Sequence, residues 1–500
     1  MAGLSFDQKP ILHTDKIPVI TNWNPVIGFM VYQSSSIAAF FYYKLVLETY
    51  IGPAITASML IGKMKQRRNG AAADISSNKA RAYFDLRDIV NSQLVDTIYD
   101  QNSSANKMKT IHKLGANDTD KPFSLNGDKM QTYGDGSTVK SQIVQITVKA
   151  YQHYADAADE APTDRTSGSI NNTAEDIWFM AASLPLFTAR NTSSSYLQGT
   201  DFQVFQMSGN TKRFLSDVQQ SSGDVVSGSV YRNYVQDTDY HTLGFLNGED
   251  DFNSIARYIK VAYYDSAGAQ IGSTQELSNR EDNGGAIPNT SGTEVNSDVE
   301  RLVYVGCGPA NLEAQEEDTG ARPSNFSGWA YYKIWAYDDT GAGAVRSADY
   351  YFIKQDGSCK GYKVRRLAWR NSLGCWDYFN FKKKSQQTIN VERNTFSTML
   401  GNFGEEKYSY ADTQRGEKTR QTTATLEETL NTDWITEQDA QLLEGLIMST
   451  NVEIVENADT EFSQGVMVTD SSFVRKTVAN DKMIQYTIKI KYANNINTNS

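Results

Sequence analysis

Cysteine and histidine are scarce, at 3 and 4 in 500 residues. Three widely spaced cysteines, Cys307, Cys359 and Cys375, make no disulfide framework and suit assembly in a reducing compartment. The one pairing left open joins Cys359 to Cys375 across a hairpin. The histidines, His13, His112, His153 and His241, fall in no His-Glu-x-x-His pattern and in no helical pair. Each therefore reads as a polar surface residue, and neither a metal site nor a cofactor is expected. No stretch reaches about 18 uncharged apolar residues, so no membrane-spanning helix is expected. The nearest run, 37–51, carries Lys44 and Glu48 and reads as a buried strand. Residues 1–14 lack a charged start followed by an apolar run, so no secretory signal is expected. Basic charge is also in deficit: 48 Lys+Arg against 59 Asp+Glu leaves a net charge of -11, the wrong sign for a general nucleic-acid coat. The local basic clusters, Lys63, Lys65, Arg67, Arg68 and Lys382, Lys383, Lys384, read as a solvated loop and a strand end, the alternative being contact with an acidic partner or with DNA.

What is present is core material. The chain is 39% hydrophobic and rich in rings, with 28 Tyr, 21 Phe and 7 Trp. That content rules out wholesale disorder. A single core stops growing near about 250–300 residues, so this length predicts several domains.

The pattern is mainly β. Residues 1–100 read as an N-terminal β-domain, with strands over 26–33, 39–49 and 58–65 and a short helix capped by Asp85. Residues 101–174 are polar loops around one connecting strand, 140–154. Residues 175–357 read as a β-sandwich-like insertion, with strands over 257–264, 301–306, 329–337 and 348–353 and a turn at Asp265-Ser266-Ala267-Gly268. Residues 358–500 read as an α+β domain. A hairpin there joins 362–370 to 376–383 through Asn371-Ser372-Leu373-Gly374, and 385–396 extends the sheet. Thr436-Glu437-Gln438-Asp439 resembles a capping box ahead of Leu442, Leu443, Leu446 and Ile447, one face of a helix. Strands are expected again at 452–455, 466–469, 473–478 and 483–492, the last two joined through Asn480-Asp481-Lys482.

Motifs that carry chemistry are not found in the sequence. Gly306-Cys307-Gly308 and Gly341-Ala342-Gly343 lack the third glycine and the following helix that a dinucleotide site needs. Asp318-Thr319-Gly320 and Asp339-Thr340-Gly341 stand too close to belong to two protease lobes, and read as turns. No Gly-x-Ser-x-Gly elbow occurs. Glu427-Glu428 and Asp250-Asp251 sit in polar context. No enzyme activity and no small-molecule substrate are expected. The aromatic clusters remain, and Tyr and Trp serve both cores and protein interfaces. Candidate interface residues are Trp329, Tyr331, Trp335, Trp369, Trp376, Tyr378, Phe379 and Trp434.

The run from Arg366 through Trp369-Arg370-Asn371-Ser372-Leu373-Gly374-Cys375-Trp376-Asp377-Tyr378-Phe379 to Phe381 resembles a hairpin of tailed-bacteriophage virion structural proteins, with Cys375 in place of a second glycine. Trp434–Ser449 followed by 452–455 and 468–473, and Asn24-Pro25-Val26 with Tyr83–Leu86, resemble the same group. The resemblance spans about half of the chain and carries no catalytic residue. It implies a virion component in the tail (tip, baseplate or hub ring), made in the bacterial host cytoplasm. Its partners would be other virion proteins and copies of itself in a ring. The alternatives are a receptor- or glycan-binding virion protein, with a host surface receptor as partner of residues 175–357, or a capsid decoration protein.

Overall fold

A computed structural model describes the strands of residues 4–180 and a 3-10 turn at 111–113. Beyond these it describes 205–221, 230–246, 256–278, 302–313, 326–338, 343–355, 361–403, 407–455, 463–470 and 484–499, less positions 206, 208, 257 and 495, together with 472 and 474. The described residues are mostly strand, arranged in several sheets with few helices. The chain divides into two compact units. The first comprises residues 1–354 and 370–377, and the second 355–369 and 378–500. The hairpin tip, 370–377, belongs to the first unit.

The first unit opens with β1 (Leu4–Gln8), β2 (Val19–Ile20), β3 (Ile27–Tyr32), β4 (Phe40–Ile51), β5 (Ile55–Lys65) and β6 (Lys79–Phe84). It continues with β7 (Ile143–Ala155), β8 (Thr163–Asp164) and β9 (Thr173–Met180). They form a sheet β1-β3-β6 and a sheet β2-β9-β7-β4-β5 with β8 on β7. The ring- and β-branched-rich text of β4, FFYYKLVLETYI, suits a central strand, and it pairs antiparallel to both β5 and β7. The helix expected after Asp85 lies outside the described residues.

Next come β10 (Gln220–Ser221), β11 (Val230–Val235), β12 (Thr242–Leu246), β13 (Tyr258–Tyr264), β14 (Gln270–Ser278) and β15 (Leu302–Gly306). A five-residue helix, α1 (Pro309–Glu313), follows Gly308, and then β16 (Tyr331–Asp338), β17 (Ala344–Val345) and β18 (Tyr350–Lys354). The main sheet runs β10-β11-β18-β16-β13-β14, and β12 pairs with β15. Alternation along β16 buries Tyr332, Ile334 and Ala336 on one face. Register then lines up rings across strands: Phe352 stacks on Tyr332 at 5.0 Å, and Tyr332 meets Tyr263 at 5.5 Å. His112 and His241 are buried, not surface residues; their rings pack edge-on against Trp376 and Phe352.

The second unit holds most of β19 (Arg365–Arg370) and β20 (Trp376–Phe381), with β21 (Gln386–Ser397), β22 (Asn402–Phe403), β23 (Tyr408–Ser409) and β24 (Glu417–Asn431). Then come α2 (Glu437–Met448), β25 (Val452–Ile454), β26 (Gln464–Val468), β27 (Thr487–Tyr492) and β28 (Ile496–Asn499). The sheet order is β20-β19-β25-β26-β27-β24-β21, with β28 on β24. The capping box forms as the sequence predicts. Thr436 Oγ1 accepts from Asp439 N at 3.3 Å while the Asp439 carboxylate accepts from Thr436 N at 3.2 Å, and the helix buries Leu442, Leu443 and Leu446. The segment 473–478 and the expected turn at 480–482 lie outside the described residues, except Val474, which is in no strand.

The turn between β19 and β20 needs a backbone that most side chains resist. Gly374 adopts φ +81, and Asn371 Oδ1 accepts from both Leu373 N and Cys375 N. One glycine suffices, which is why Cys375 can stand where a second might be expected. Cys375 is a free, buried thiol, so no bond joins it to Cys359. Its sulfur occupies the space beside Gly244, where an added Cβ would collide with it and press on Tyr304. Gly244→Ala is therefore expected to cost about 1–3 kcal/mol of stability. Adding Cys375→Ala should recover part of that loss, and chemical denaturation of both single variants and the double reads the coupling.

Candidate functional site

The sequence singled out eight aromatic residues, and the structure uses most of them internally. Trp329, Tyr331, Trp369, Trp376 and Tyr378 are buried, and Trp335 and Phe379 are partly buried. Of the eight, Trp434 alone is largely exposed, at 59%. A ring already sealed in a core has no surface left to bury against a neighbour. Of the candidate interface residues, Trp335, Phe379 and Trp434 keep exposed surface.

The exposed apolar surface lies instead on the β21–β24 ribbon. The two strands pair from Gln386↔Thr429 to Ser397↔Glu417. All twelve residues of β21 are exposed. Its apolar side chains include Ile389 at 66%, Val391 and Phe396. Past the strand end come Met399 at 70%, Leu400, Tyr408 and Tyr410, all exposed, with the hydroxyl of Tyr408 donating to Leu400 O.

Register explains why apolar residues arrive there. Trp369, Val452, Val466 and Tyr492 stand in one cross-strand row on β19, β25, β26 and β27, and Ile490 and Leu430 share that face. All are buried. The same face continues on β24 through Glu428, Leu426 and Ala424, which oppose Gln387, Ile389 and Val391. The core face of the sheet thus runs on past its cover and ends in the open at β21.

A buried ion pair marks the point where the core stops. Arg365 Nε donates to Glu428 Oε1 at 2.8 Å, while Gln387 Nε2 and Tyr492 Oη donate to Glu428 Oε2 at 3.1 and 2.7 Å. Burial opposes ionisation of Glu428, but these three donors and the Arg365 charge outweigh it and hold the carboxyl below its usual range. Burial and the neighbouring carboxylate together push the Tyr492 phenol up to about 12. Arg365 and Glu428 belong to strands four places apart in the sheet, roughly 19 Å if it were flat. Their contact requires the sheet to curl on itself. In sequence Glu427-Glu428 reads as polar context; β24 alternation separates the two, and Glu428 goes inside. Glu428→Ala leaves Arg365 buried without a carboxylate, so a loss of about 3–5 kcal/mol is expected in urea unfolding.

A second cluster, in the first unit, was invisible in the sequence. Asp377 accepts from Ser216 Oγ at 2.5 Å, Asp217 N at 2.9 Å and Asn371 Nδ2 at 3.1 Å. Asp217 accepts from Ser372 N and Oγ at 3.1 and 2.8 Å, and Asn371 Nδ2 also donates to Leu215 O. These bonds staple the hairpin tip to residues 215–217, some 155–161 positions away in the chain. The nearby charge is Arg213, whose guanidinium lies 4.8 Å from the Tyr231 ring and donates to Val218 O. Burial, then the Asp217 charge, push the Asp377 carboxyl up to about 7. Burial raises Asp217 and, above all other influences, lifts the Cys375 thiol to about 12. Asp377 is 1% exposed and saturated by donors, an arrangement built to hold backbone in place.

Among the described residues no group of three His, Cys, Asp or Glu is placed to hold a metal ion, and no helix is long and apolar enough to cross a membrane. No family model and no curated protein matches the chain. Among solved structures it is similar to squid arrestin, at 10% identity over 71% of this chain and 100% of that one, with a TM-score of 0.18. At that score the likeness carries no argument.

Asp377 gives the first unit a pH-dependent stability. Its folded pKa lies above the unfolded value of 3.8, so the native state holds a proton that the unfolded chain has released. Stability is full below about 4 and falls as pH rises toward 7, by up to about 1.4 kcal/mol per pH unit. Unfolding of the wild type and of Asp377→Asn between pH 4 and 8 checks this: the slope should be shallower in the variant, with the part due to Asp217 remaining.

Proposed function

We propose that this chain is a structural component of a tailed-phage virion that works through protein–protein assembly in the tail. The observation that carries the assembly reading is the ribbon: a twelve-residue edge strand, wholly exposed, with Ile389, Val391 and Phe396 on it and Met399, Tyr408 and Tyr410 beyond it. An edge strand offers unpaired backbone donors and acceptors, and exposed apolar side chains are covered when a neighbour docks. The resemblance of the 366–381 hairpin and the 434–449 segment supports the virion setting. The capsid decoration reading calls on the same assembly chemistry at a different address.

A second reading has its own observation. The outer face of the main sheet in the first unit carries partly exposed Trp335, Tyr337, Tyr351 and Tyr264. Lys333 lies 4.4 Å from the Trp335 ring and Lys260 3.6 Å from that of Tyr337. Ring faces with adjacent polar groups suit a glycan on a host surface receptor.

Shortening the ribbon tests the leading reading. Thr388 and Glu427 oppose each other, so an Asn-Gly turn between them replaces 389–426 and keeps Gln387 and Glu428, while β28, which pairs with 421–424, loses its partner strand. A phage lacking the gene would be complemented with either version. Full-length protein is expected in the tails of purified particles, located by cryo-EM density, and the shortened protein is expected to fold yet be absent from them. Equal incorporation of both, or a full-length protein missing from particles, overturns the reading. If Trp335→Ala abolished host-cell binding while the shortened ribbon had no effect on particles, the receptor reading would replace it.

A further inference from the structure

Among the described residues β21 pairs with β24 alone, leaving its other side as a sheet edge. Natural edges are commonly blunted by Lys, Pro or a bulge. The text of β21, QQTINVERNTFS, contains neither Lys nor Pro, and the register shift near Asn394 sets two residues of β24, not of β21, against the step. Among the described residues this edge is open to another strand, and a second copy of β21 can be set against it register by register.

Two antiparallel copies related by a two-fold axis through the sheet must pair residues on the same face. Four registers near the middle of β21 satisfy that. Centring on Glu392 or on Arg393 sets like charges face to face. Centring on Val391 sets Ile389 against Arg393. Centring on Asn390 sets Ile389 against Val391 twice, Gln387 against Arg393, and Thr388 against Glu392, with no like charges opposed. The last register also extends the apolar face. Leu426 opposes Ile389 and Ala424 opposes Val391 within one copy, so the row becomes Leu426–Ile389–Val391–Ala424 across the axis, and it occurs twice.

We propose that the outer edge of β21 is a homotypic docking site, at which two copies of this chain pair antiparallel through residues 386–394 about a two-fold axis at Asn390. The proposal names the partner of the surface on which the assembly reading rests. Pairing satisfies the edge backbone of both chains and covers Ile389 and Val391, the exposed apolar side chains that continue the core face beyond half-buried Leu426 and Ala424.

Cysteine cross-linking of the full chain under mild oxidation tests the register, with the wild type as control for the three native cysteines. Asn390→Cys is expected to give a covalent dimer with itself. Thr388→Cys and Glu392→Cys are each expected to give none alone, and to cross-link when mixed. Ile389→Glu, at a position exposed enough to leave the fold intact, is expected to raise the dimer dissociation constant about tenfold or more by analytical ultracentrifugation, with unchanged melting. A wild type that is monomeric at high concentration overturns the proposal. A dimer that survives Ile389→Glu and fails to cross-link at 390 also overturns it. If the protein enters particles through the ribbon but cross-links at none of these positions, the homotypic register falls while the assembly reading stands.

Discussion

The second unit is organised around the Arg365–Glu428 pair. Taking a carboxylate and a guanidinium out of water is costly, and the cost is met only because each finds close hydrogen-bonding partners. Glu428 is satisfied by three donors from three different strands. To bring them together, a sheet with β19 and β24 four places apart must curl, and the curl encloses the row from Trp369 to Tyr492. The same pair sets where enclosure ends. Beyond Glu428 the sheet continues as β24 and β21, with β28 on the other side of β24, and the apolar pattern of the core is carried onto the exposed strand β21.

The first unit solves a related problem with hydrogen bonds in place of an ion pair. Its sheet is held by aromatic rows that register assembles across neighbouring strands, and such rows tolerate little displacement. The tip of the 365–381 hairpin is fixed separately, by two aspartates, two serines and an asparagine. Two carboxylates sharing one buried network cannot both ionise at low cost, which ties the hold on the tip to a proton. The apolar neighbours of that tip are as tightly fitted: the sulfur of Cys375 fills the space that Gly244 leaves by having no side chain.

Much of the strand pattern could be read from residues. Period-two alternation marked β7, apolar runs between turn signals marked β13, β15 and β16, and the 436–447 helix was legible down to the Thr436–Asp439 box. The strand that matters most to the candidate surface was harder. The text of β24, EKTRQTTATLEETLN, is dominated by charge and polarity, and its five threonines were the remaining sign of β preference. The aromatic clusters misled for a physical reason. Rings in strands are equally useful to a core and to an interface, and composition cannot tell which side of a sheet will be covered.

The sequence alone determined the mainly β class, the α+β character of the C-terminal part, the turn at Asn371–Gly374 and the helix start at Thr436, because these depend on local sterics and on neighbours within a few residues. Tertiary structure alone decided which rings are sealed and which apolar side chains stay in water. It also decided that Glu428 meets Arg365 and that Asp217 meets Asp377. Burial and charge pairing are set by strand order and register between segments 60 to 160 residues apart, and no local pattern encodes that distance.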